Sequence, residues 1–534
     1  MEGTARCEKY SRSFVLGCSL IALAGCGADE IVSPGTSGDI IINNPTPPAP
    51  TPTPTPTPTQ SLVTPAAGCP TIASTGGLTD AGTISGPTGT YRVCRLPETF
   101  NVSDNLPFVS GLLYQIQDRV NVGVDRGFNS TGTAVTLSVE PGVILFAQAN
   151  SFFVVNRGNA IQANGTATRP IVWTSRDNVI GLTNDNSQQQ WGGVVLLGRA
   201  PVSDCNTGVF NTDAAPNANP QCEQQLEGTA VATPYGGSNS ADSSGSFTFN
   251  QIRFSGFELA PGNELQSLTT GGIGSGTTIR NLMSFNSSDD GAEFFGGTVN
   301  VTNIAVIGAS DDSLDVDTGA QANFENVVAV QRASTGDAMI ELDSPNSASL
   351  PIIARPLTRM RVNNFTFVQR STTSPQMIRA RGGAALGLTN GVMDKVDGDG
   401  SFCFRIDEQE TLDALLGINS VVCDGGTTAQ ARGDRSAGAN NTTDAEVLAG
   451  VTAGTNVDLA FTITLTGGIV NGANETAVTA FDATGLAAIF TARPGIGAIQ
   501  SGADLNAFRN WTCNSSIQDF GSSTGACTTL PVFS

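Results

Sequence analysis

Two short acidic segments contain the residue types best suited to chemistry. Residues 288–295 read SDDGAEFF and residues 310–317 read SDDSLDVD, a repeat at a spacing of 22 residues. Neighbouring carboxylates can form a general acid and base pair, bind a hard cation such as Ca²⁺, or lie in solvated turns. The repeat also suggests that one structural unit occurs twice.

A period of 22 residues stacks each acidic residue of the first segment on one of the second. Side chains alternate along a strand, so Phe294 and Val316 are predicted to point inward and stack in a core. Glu293 and Asp315 then point outward in one column, and the other acidic residues of the two segments stack in pairs next to it. The stacked pairs are Asp289 with Asp311, Asp290 with Asp312, and Glu293 with Asp315, and Asp317 lies beside them.

Two later segments extend this face. VQRASTGDAMIELD (330–343) and VQRSTTSPQMIRAR (368–381) share Val, Gln, Arg, Thr, Met and Ile without a gap. Their alignment predicts that the outward stack of Glu293, Asp315 and Glu341, which we call the acidic column, ends in arginine. The aligned pairs are Glu341 with Arg379 and Asp343 with Arg381.

Stacked carboxylates repel one another, so the column needs a compensating interaction. The arginines, a bound calcium ion or raised pKa values in a catalytic cleft could each supply it, and a solvated turn structure stays open beside them. Oxygen ligands alone favour calcium over zinc. The predicted calcium ligands are Asp289, Asp290, Glu293, Asp311, Asp312, Asp315 and Glu341, and the predicted ligand-binding residues are Arg379, Arg381, Asp317 and Asp343.

The composition of the 534 residues excludes several function classes. The chain has no histidine, which removes Ser-His-Asp and Cys-His catalysis and His-ligated zinc. Its 47 acidic against 26 basic residues give a formal charge of −21, which argues against nucleic acid and anionic lipid as partners.

A recurring asparagine indicates the fold. Asn stands at the entry to successive apolar runs, at steps of 22, 23, 38, 26 and 29 residues. Asn tolerates left-handed backbone angles, and stacked amides can hydrogen-bond from coil to coil. The pattern predicts an all-β solenoid, a right-handed parallel β-helix with disulfide-linked caps. The asparagines are Asn281, Asn303, Asn326, Asn364, Asn390 and Asn419.

The cysteines outside the first 26 residues favour local crosslinks in an exported protein. They form four neighbouring couples, each bracketing an excursion rich in Gly, Asn or Pro, and none has the spacing of a zinc or redox motif. The predicted pairs are Cys69 with Cys94, Cys205 with Cys222, Cys403 with Cys423, and Cys513 with Cys527.

The first sixty residues read as an export and anchoring segment. Basic residues precede a short apolar run, and LAGC at residues 23–26 resembles the lipobox of bacterial lipoproteins, which implies lipidation of Cys26. Gly27 follows in place of the aspartate that favours inner-membrane retention, so the outer membrane is expected, with the lipid as the membrane contact. The predicted segments are a signal peptide (1–25), a Pro/Thr-rich tether (26–60), an N-terminal cap (61–120), the β-helix (121–450), and C-terminal coils with a cap (451–534).

Residues 135–345 resemble a family of exported bacterial lipoproteins with a right-handed parallel β-helix. The resemblance rests on motifs such as VEPGVILFA (139–147), WGGVVLLGRAPV (191–202) and LTTGGIGSGTTIRN (268–281). It implies a surface lipoprotein found alongside a TonB-dependent outer-membrane transporter, and it carries no catalytic residues across. The function expected is non-catalytic ligand capture.

A calcium-assisted polysaccharide lyase or hydrolase is the alternative function. Pectate lyases share this kind of fold and combine acidic calcium ligands with an arginine base, a role open here to Arg379 or Arg381. Polygalacturonases use a histidine and an Arg-x-Lys segment, and the chain has neither. The two readings differ in whether the acidic column lines a groove or a flat wall.

Overall fold

The computed structural model describes residues 62–213, 221–227, 229, 231–260, 263–345, 354–395, 401–425, 430–434 and 440–533. The described residues all belong to one compact unit, Gln60–Ser534. The predicted signal peptide, Cys26 and the tether therefore lie outside the described residues.

Short strands make up most of the described chain. The first group is β1 (Thr79–Gly86), β2 (Gly89–Arg95), β3 (Thr99–Phe100), β4 (Asp104–Leu106), β5 (Leu112–Gln115), β6 (Arg119–Val122), β7 (Thr136–Val139), β8 (Ile144–Ala147), β9 (Phe152–Val155), β10 (Ala160–Asn164) and β11 (Ile171–Ser175). The second is β12 (Gly193–Leu197), β13 (Gln224–Gln225), β14 (Pro234–Tyr235), β15 (Gly245–Arg253), β16 (Glu258–Ala260), β17 (Asn263–Glu264), β18 (Leu268–Gly271), β19 (Thr278–Phe285) and β20 (Ala292–Phe295).

The remaining strands continue the same rhythm. They are β21 (Thr298–Ile307), β22 (Leu314–Asp317), β23 (Gln321–Val330), β24 (Ile340–Leu342), β25 (Arg359–Val368), β26 (Gln376–Ala380), β27 (Ala385–Asp394), β28 (Phe402–Ile406), β29 (Gly417–Cys423) and β30 (Ala431–Gly433). The helices are short: α1 (Arg176–Ile180), α2 (Gln409–Asp413), α3 (Asp444–Val451), α4 (Ala473–Thr476) and a 3₁₀ turn at Asp504–Ala507.

Two stacked parallel sheets wind around one apolar core. The large sheet runs in the order β1-β2-β5-β8-β11-β15-β19-β21-β23-β25-β27-β29, with β4, β7 and β10 beside it. The second sheet runs β3-β6-β9-β12-β18-β20-β22-β24-β26-β28-β30. Strands close in sequence thus alternate between the sheets, as a chain coiling around an axis requires. The predicted parallel β-helix is confirmed.

The asparagine repeat sits at a fixed backbone bend of the large sheet. Five of the six residues have a left-handed φ between 53° and 64°, and Asn326 Nδ2 donates to Asn303 Oδ1 of the coil before it. The prediction is wrong at Asn419, which aligns with Thr389, while Ser420 takes the left-handed φ of 52°. Phe249 takes the same bend one coil before Asn281.

The ends of the coil stack differ from the predicted segments. Coiling already begins within the predicted N-terminal cap, where β2 and β3 belong to the large and second sheets. The antiparallel β1 pairs with β2, and the segment before β1 packs on the core through Ala66, Cys69, Ile72 and Leu78. After β30 the described chain contains no further strand, so the coils predicted in 451–534 are absent there. The four predicted disulfides are all present.

Residues 461–533, which we call the C-terminal strap, run back along the outside of the large sheet. Thr479 accepts a hydrogen bond from Ser420 on β29, and Phe481 bonds to Asn390 on β27. Further along the strap, Thr491 donates to Glu325 on β23. The strap therefore descends the stack coil by coil.

The far end of the strap reaches the first coils. Trp511 and Phe520 lie in an apolar cluster with outward side chains of the large sheet such as Met283. Leu530 packs in another cluster with Val63 at the opposite end of the stack. The strap thus spans the stack from its last coils to its first.

A fully buried arginine fixes this end of the strap. The Arg253 guanidinium donates at 2.9 Å to the carbonyls of Cys527 and Thr529. Burial lowers the pKa of Arg253 to about 9. Because its strap partners are carbonyls, removal of the strap would leave these donors unpaired.

Candidate functional site

The acidic column forms with the predicted register. Glu293 on β20 pairs with Asp315 on β22, which pairs with Glu341 on β24, and Arg379 on β26 follows. One residue further along β20, Phe294 is fully buried and meets Phe324 of the large sheet edge to face at 5.2 Å. Alternation along the strand therefore separates core from column as the sequence predicted.

Glu293 is much less open than an outer face implies. Its side chain is only 7% exposed. An apolar cluster involving Tyr235 of the excursion between β12 and β15 packs on the neighbouring Phe295, with ring centroids 6.1 Å apart. Among the described residues, carboxylates alone dominate the electrostatic surroundings of Glu293, and no cation pairs with it. It is a buried, uncompensated acid.

Two aspartates of the turns tie successive coils together. Asp290 Oδ1 accepts the backbone N–H of Asp312 at 2.9 Å, and Asp312 Oδ1 accepts the N–H of Ala338 one coil on. Both side chains are at least nine-tenths buried. These bonds link one coil to the next and are not the local Asx bonds of a solvated turn, and each carboxylate keeps its second oxygen for another partner.

The carboxylates approach one another closely enough to share cations. Four groups of three have ligand oxygens within 4.8 Å of one another. The groups are Asp289, Asp290 and Asp311; Asp290, Glu293 and Asp315; Asp311, Asp312 and Asp337; and Asp312, Asp315 and Glu341. All seven predicted calcium ligands belong to these groups. Four of them, Asp290, Asp311, Asp312 and Asp315, each belong to two groups. A donor set of carboxylate oxygen without nitrogen or sulfur fits a hard cation such as Ca²⁺.

Burial and mutual repulsion make these acids hard to ionise. Burial first, then Asp311 and Glu264, raise the pKa of Asp289 from 3.8 to about 7. The pKa of Asp317 rises to about 8, through burial and then Asp343. The same causes hold the pKa of Asp290, Glu293, Asp312 and Asp315 well above the ordinary range.

The two predicted arginines end the acidic part of the column and pair with carboxylates, although Arg379 Nε is buried without a hydrogen-bond partner. Arg379 bonds Glu341 at 3.0 Å and Asp407 at 3.1 Å. Arg381 pairs with Asp343, and these carboxylates raise its pKa above the ordinary value. An arginine base needs a lowered pKa and a free face, and Arg381 has the opposite shift.

The column continues beyond the residues that the sequence analysis assigned. Arg405 on β28 stacks on Arg379, and Arg432 on β30 stacks on Arg405. The guanidinium of Arg432 lies over the Phe402 ring at 5.6 Å. Asp337, in one of the four carboxylate groups, was also missed. The 26-residue step from Arg379 to Arg405 was a signal that could have identified the second arginine.

A groove lies on the large sheet, away from the acidic column on the second sheet. It has a volume of about 710 Å³ between the strap and β19, β21 and β23. Its charged groups are compensated at least in part: Arg493 pairs with Asp504 at 2.8 Å, and Glu325 accepts from Asn363 at 2.8 Å. The acidic column therefore remains the better candidate site.

The comparisons with known proteins identify the family of the coil stack. No helix in the described part of the chain is long and apolar enough to cross a membrane. No curated protein and no solved structure gives a significant match. Residues 126–466 match the family described as "Pectate-lyase like beta helix domain". A match over more than half of the chain, joined to the observed coils, shows that the protein belongs to the pectate-lyase-like β-helix family.

Proposed function

We propose that the protein is a non-catalytic, calcium-binding β-helix, anchored by lipid to the outer membrane, that captures a ligand on its cation-loaded acidic column. The observation that carries this proposal is the stack of clustered carboxylates with too few cations, in which Asp290, Glu293 and Asp312 are buried. Asp315 Oδ1 is buried without any hydrogen-bond partner. Divalent cations would neutralise these acids and occupy their free oxygens.

The state of the arginines supports binding over catalysis. A lyase would need an arginine free to remove a proton beside the calcium, and both candidates hold carboxylates instead. Because the chain belongs to the pectate-lyase-like β-helix family, calcium-assisted lyase activity is the alternative function to test. Formation of unsaturated products from an acidic polysaccharide with calcium would overturn the non-catalytic proposal.

Calcium binding is tested with the purified full-length protein. We expect Ca²⁺ to bind and to raise the melting temperature, and Glu293→Gln to reduce both effects because it removes one ligand charge. Glu98→Gln is the matched control, since it changes the same charge at an exposed position distant from the column. An unchanged melting temperature across millimolar calcium, together with no heat of binding, would leave the column as a charged surface only.

The anchor is tested at the cysteine of the lipobox-like segment. We expect Cys26→Ser to abolish incorporation of a palmitate analogue and to release the protein from the membrane fraction. Cys18→Ser lies in the same segment and should leave both unchanged. Normal lipid labelling of the Cys26→Ser protein would refute the anchor.

The transporter partner is part of the same proposal and rests on the resemblance to surface lipoproteins. Co-purification of the wild-type protein with a TonB-dependent transporter after detergent extraction would support it. Recovery of the protein without any transporter would remove this partner and leave the calcium site standing.

A further inference from the structure

The four carboxylate groups form a regular two-by-two arrangement. Two of them lie in the gap between the coils of β20 and β22, and two lie in the gap between the coils of β22 and β24. Within each gap the groups share one buried aspartate, Asp290 in the first and Asp312 in the second. Between the gaps they share Asp311 and Asp315.

From this arrangement we infer that the column holds at least two divalent cations, one in each gap, bridged by Asp311 and Asp315. This inference rests on the proposed calcium site and adds its stoichiometry and bridging residues. Asp337 becomes a ligand of the second gap, a role that the sequence did not suggest. A carboxylate has two oxygens, so it can contact one cation in each neighbouring gap.

Independent observations point to ligands in this arrangement. Glu293 is 7% exposed and meets no cation or hydrogen-bond donor within the described chain. Asp315 Oδ1 is buried and unpartnered between Glu293 and Glu341. A buried acceptor without a donor is costly, and a cation on each side of Asp315 would use both of its oxygens.

The residues at each end of the acidic column also confine the proposed cations to these two gaps. At one end, uncharged Thr269 stacks on Glu293, so the strand before β20 places no carboxylate at this register position. At the other end, the guanidinium of Arg379 lies on Glu341 where a third cation would otherwise bind. Because Glu341 already shares the charge of Arg379, the second gap should bind its cation more weakly than the first.

Calcium titration of the full-length protein by calorimetry tests the inference. We expect at least two ions per chain. Asp290→Asn should remove binding in the first gap only, and Asp312→Asn in the second gap only, so each variant should retain about half of the calcium. Asparagine keeps an acceptor for the N–H that each aspartate bonds, and a melting curve in chelator confirms folding. Asp315→Asn should weaken binding in both gaps.

A mixed-lanthanide experiment gives a second readout. Energy transfer from bound Tb³⁺ to bound Eu³⁺ in one chain requires two ions close together, and Asp290→Asn and Asp312→Asn should each abolish it. One ion per wild-type chain, or complete loss of binding in both single variants, would overturn the bridged pair while leaving a calcium site. No binding of any ion would overturn the proposed function as well.

Discussion

In calcium-free buffer, the melting temperature of the protein should fall as the pH rises from about 5 to about 8, and added calcium should remove most of this fall. The groups responsible are column acids whose folded-state pKa is raised, to about 7 for Asp289 and about 8 for Asp317. Their ordinary value in the unfolded chain is 3.8. Between these limits the folded protein holds protons that the unfolded chain releases.

The sign follows from this difference in bound protons. Below pH 4 both states are protonated and the full contribution to stability is present. As the pH rises through the folded-state values, the acids must ionise beside one another and stability is lost. The slope is about 1.4 kcal/mol per pH unit for each proton that unfolding releases.

Thermal melts in chelator and in millimolar calcium, at several pH values, measure this effect. Calcium binds the ionised acids and so stabilises the folded state most at the higher pH. Asp290→Asn should flatten the chelator curve, whereas Glu98→Gln should not. A melting temperature that is constant from pH 5 to pH 8 in chelator would contradict the raised pKa values.

Trp511→Ala should lower the free energy of unfolding by about 3 kcal/mol or more, as a large truncation in a closed apolar cluster. Trp511 is 1% exposed and its ring packs against Phe508 and Phe249 at centroid distances of 5.8 and 6.4 Å. Its backbone carbonyl accepts a 2.6 Å hydrogen bond from Gln251. The substitution therefore weakens the packing of the strap on the coils of the large sheet.

Chemical denaturation measures the change, and Leu486→Ala provides a control within the strap. Leu486 is 39% exposed, so its truncation should alter the free energy of unfolding by at most about 0.5 kcal/mol. Equal effects of the two substitutions would show that the strap is not an integral part of the folded unit.

Periodicity was sufficient to predict the fold and the register of the site. The 22-residue spacing fixed the pairing of Glu293 with Asp315, because one coil has nearly constant length and alternation determines which side chains face outward. The same rule failed at Asn419, where the preceding connection differs in length and Ser420 takes the bend. Insertions shift the register by amounts that the sequence does not reveal.

Burial of the column could not be predicted in the same way. It depends on how the excursion between β12 and β15 folds onto Phe295, through Tyr235 and residues around the disulfide of Cys205 and Cys222. Such contacts join aperiodic segments to distant coils. The strap was missed for the same reason, since residues such as Trp511 have no repeating partner in sequence.

The strap changes the order in which the protein can complete its folding. Coils of a simple solenoid touch only their neighbours, so a growing stack could mature from its first coil onward. Here Leu530 lies in one apolar cluster with Val63, and the Arg253 side chain bonds the carbonyl of Cys527. Coils near the start of the stack therefore keep an uncovered apolar face until the segment with Cys527 and Leu530 arrives. A chain cut before Cys527 would therefore be affected first in the coils made earliest.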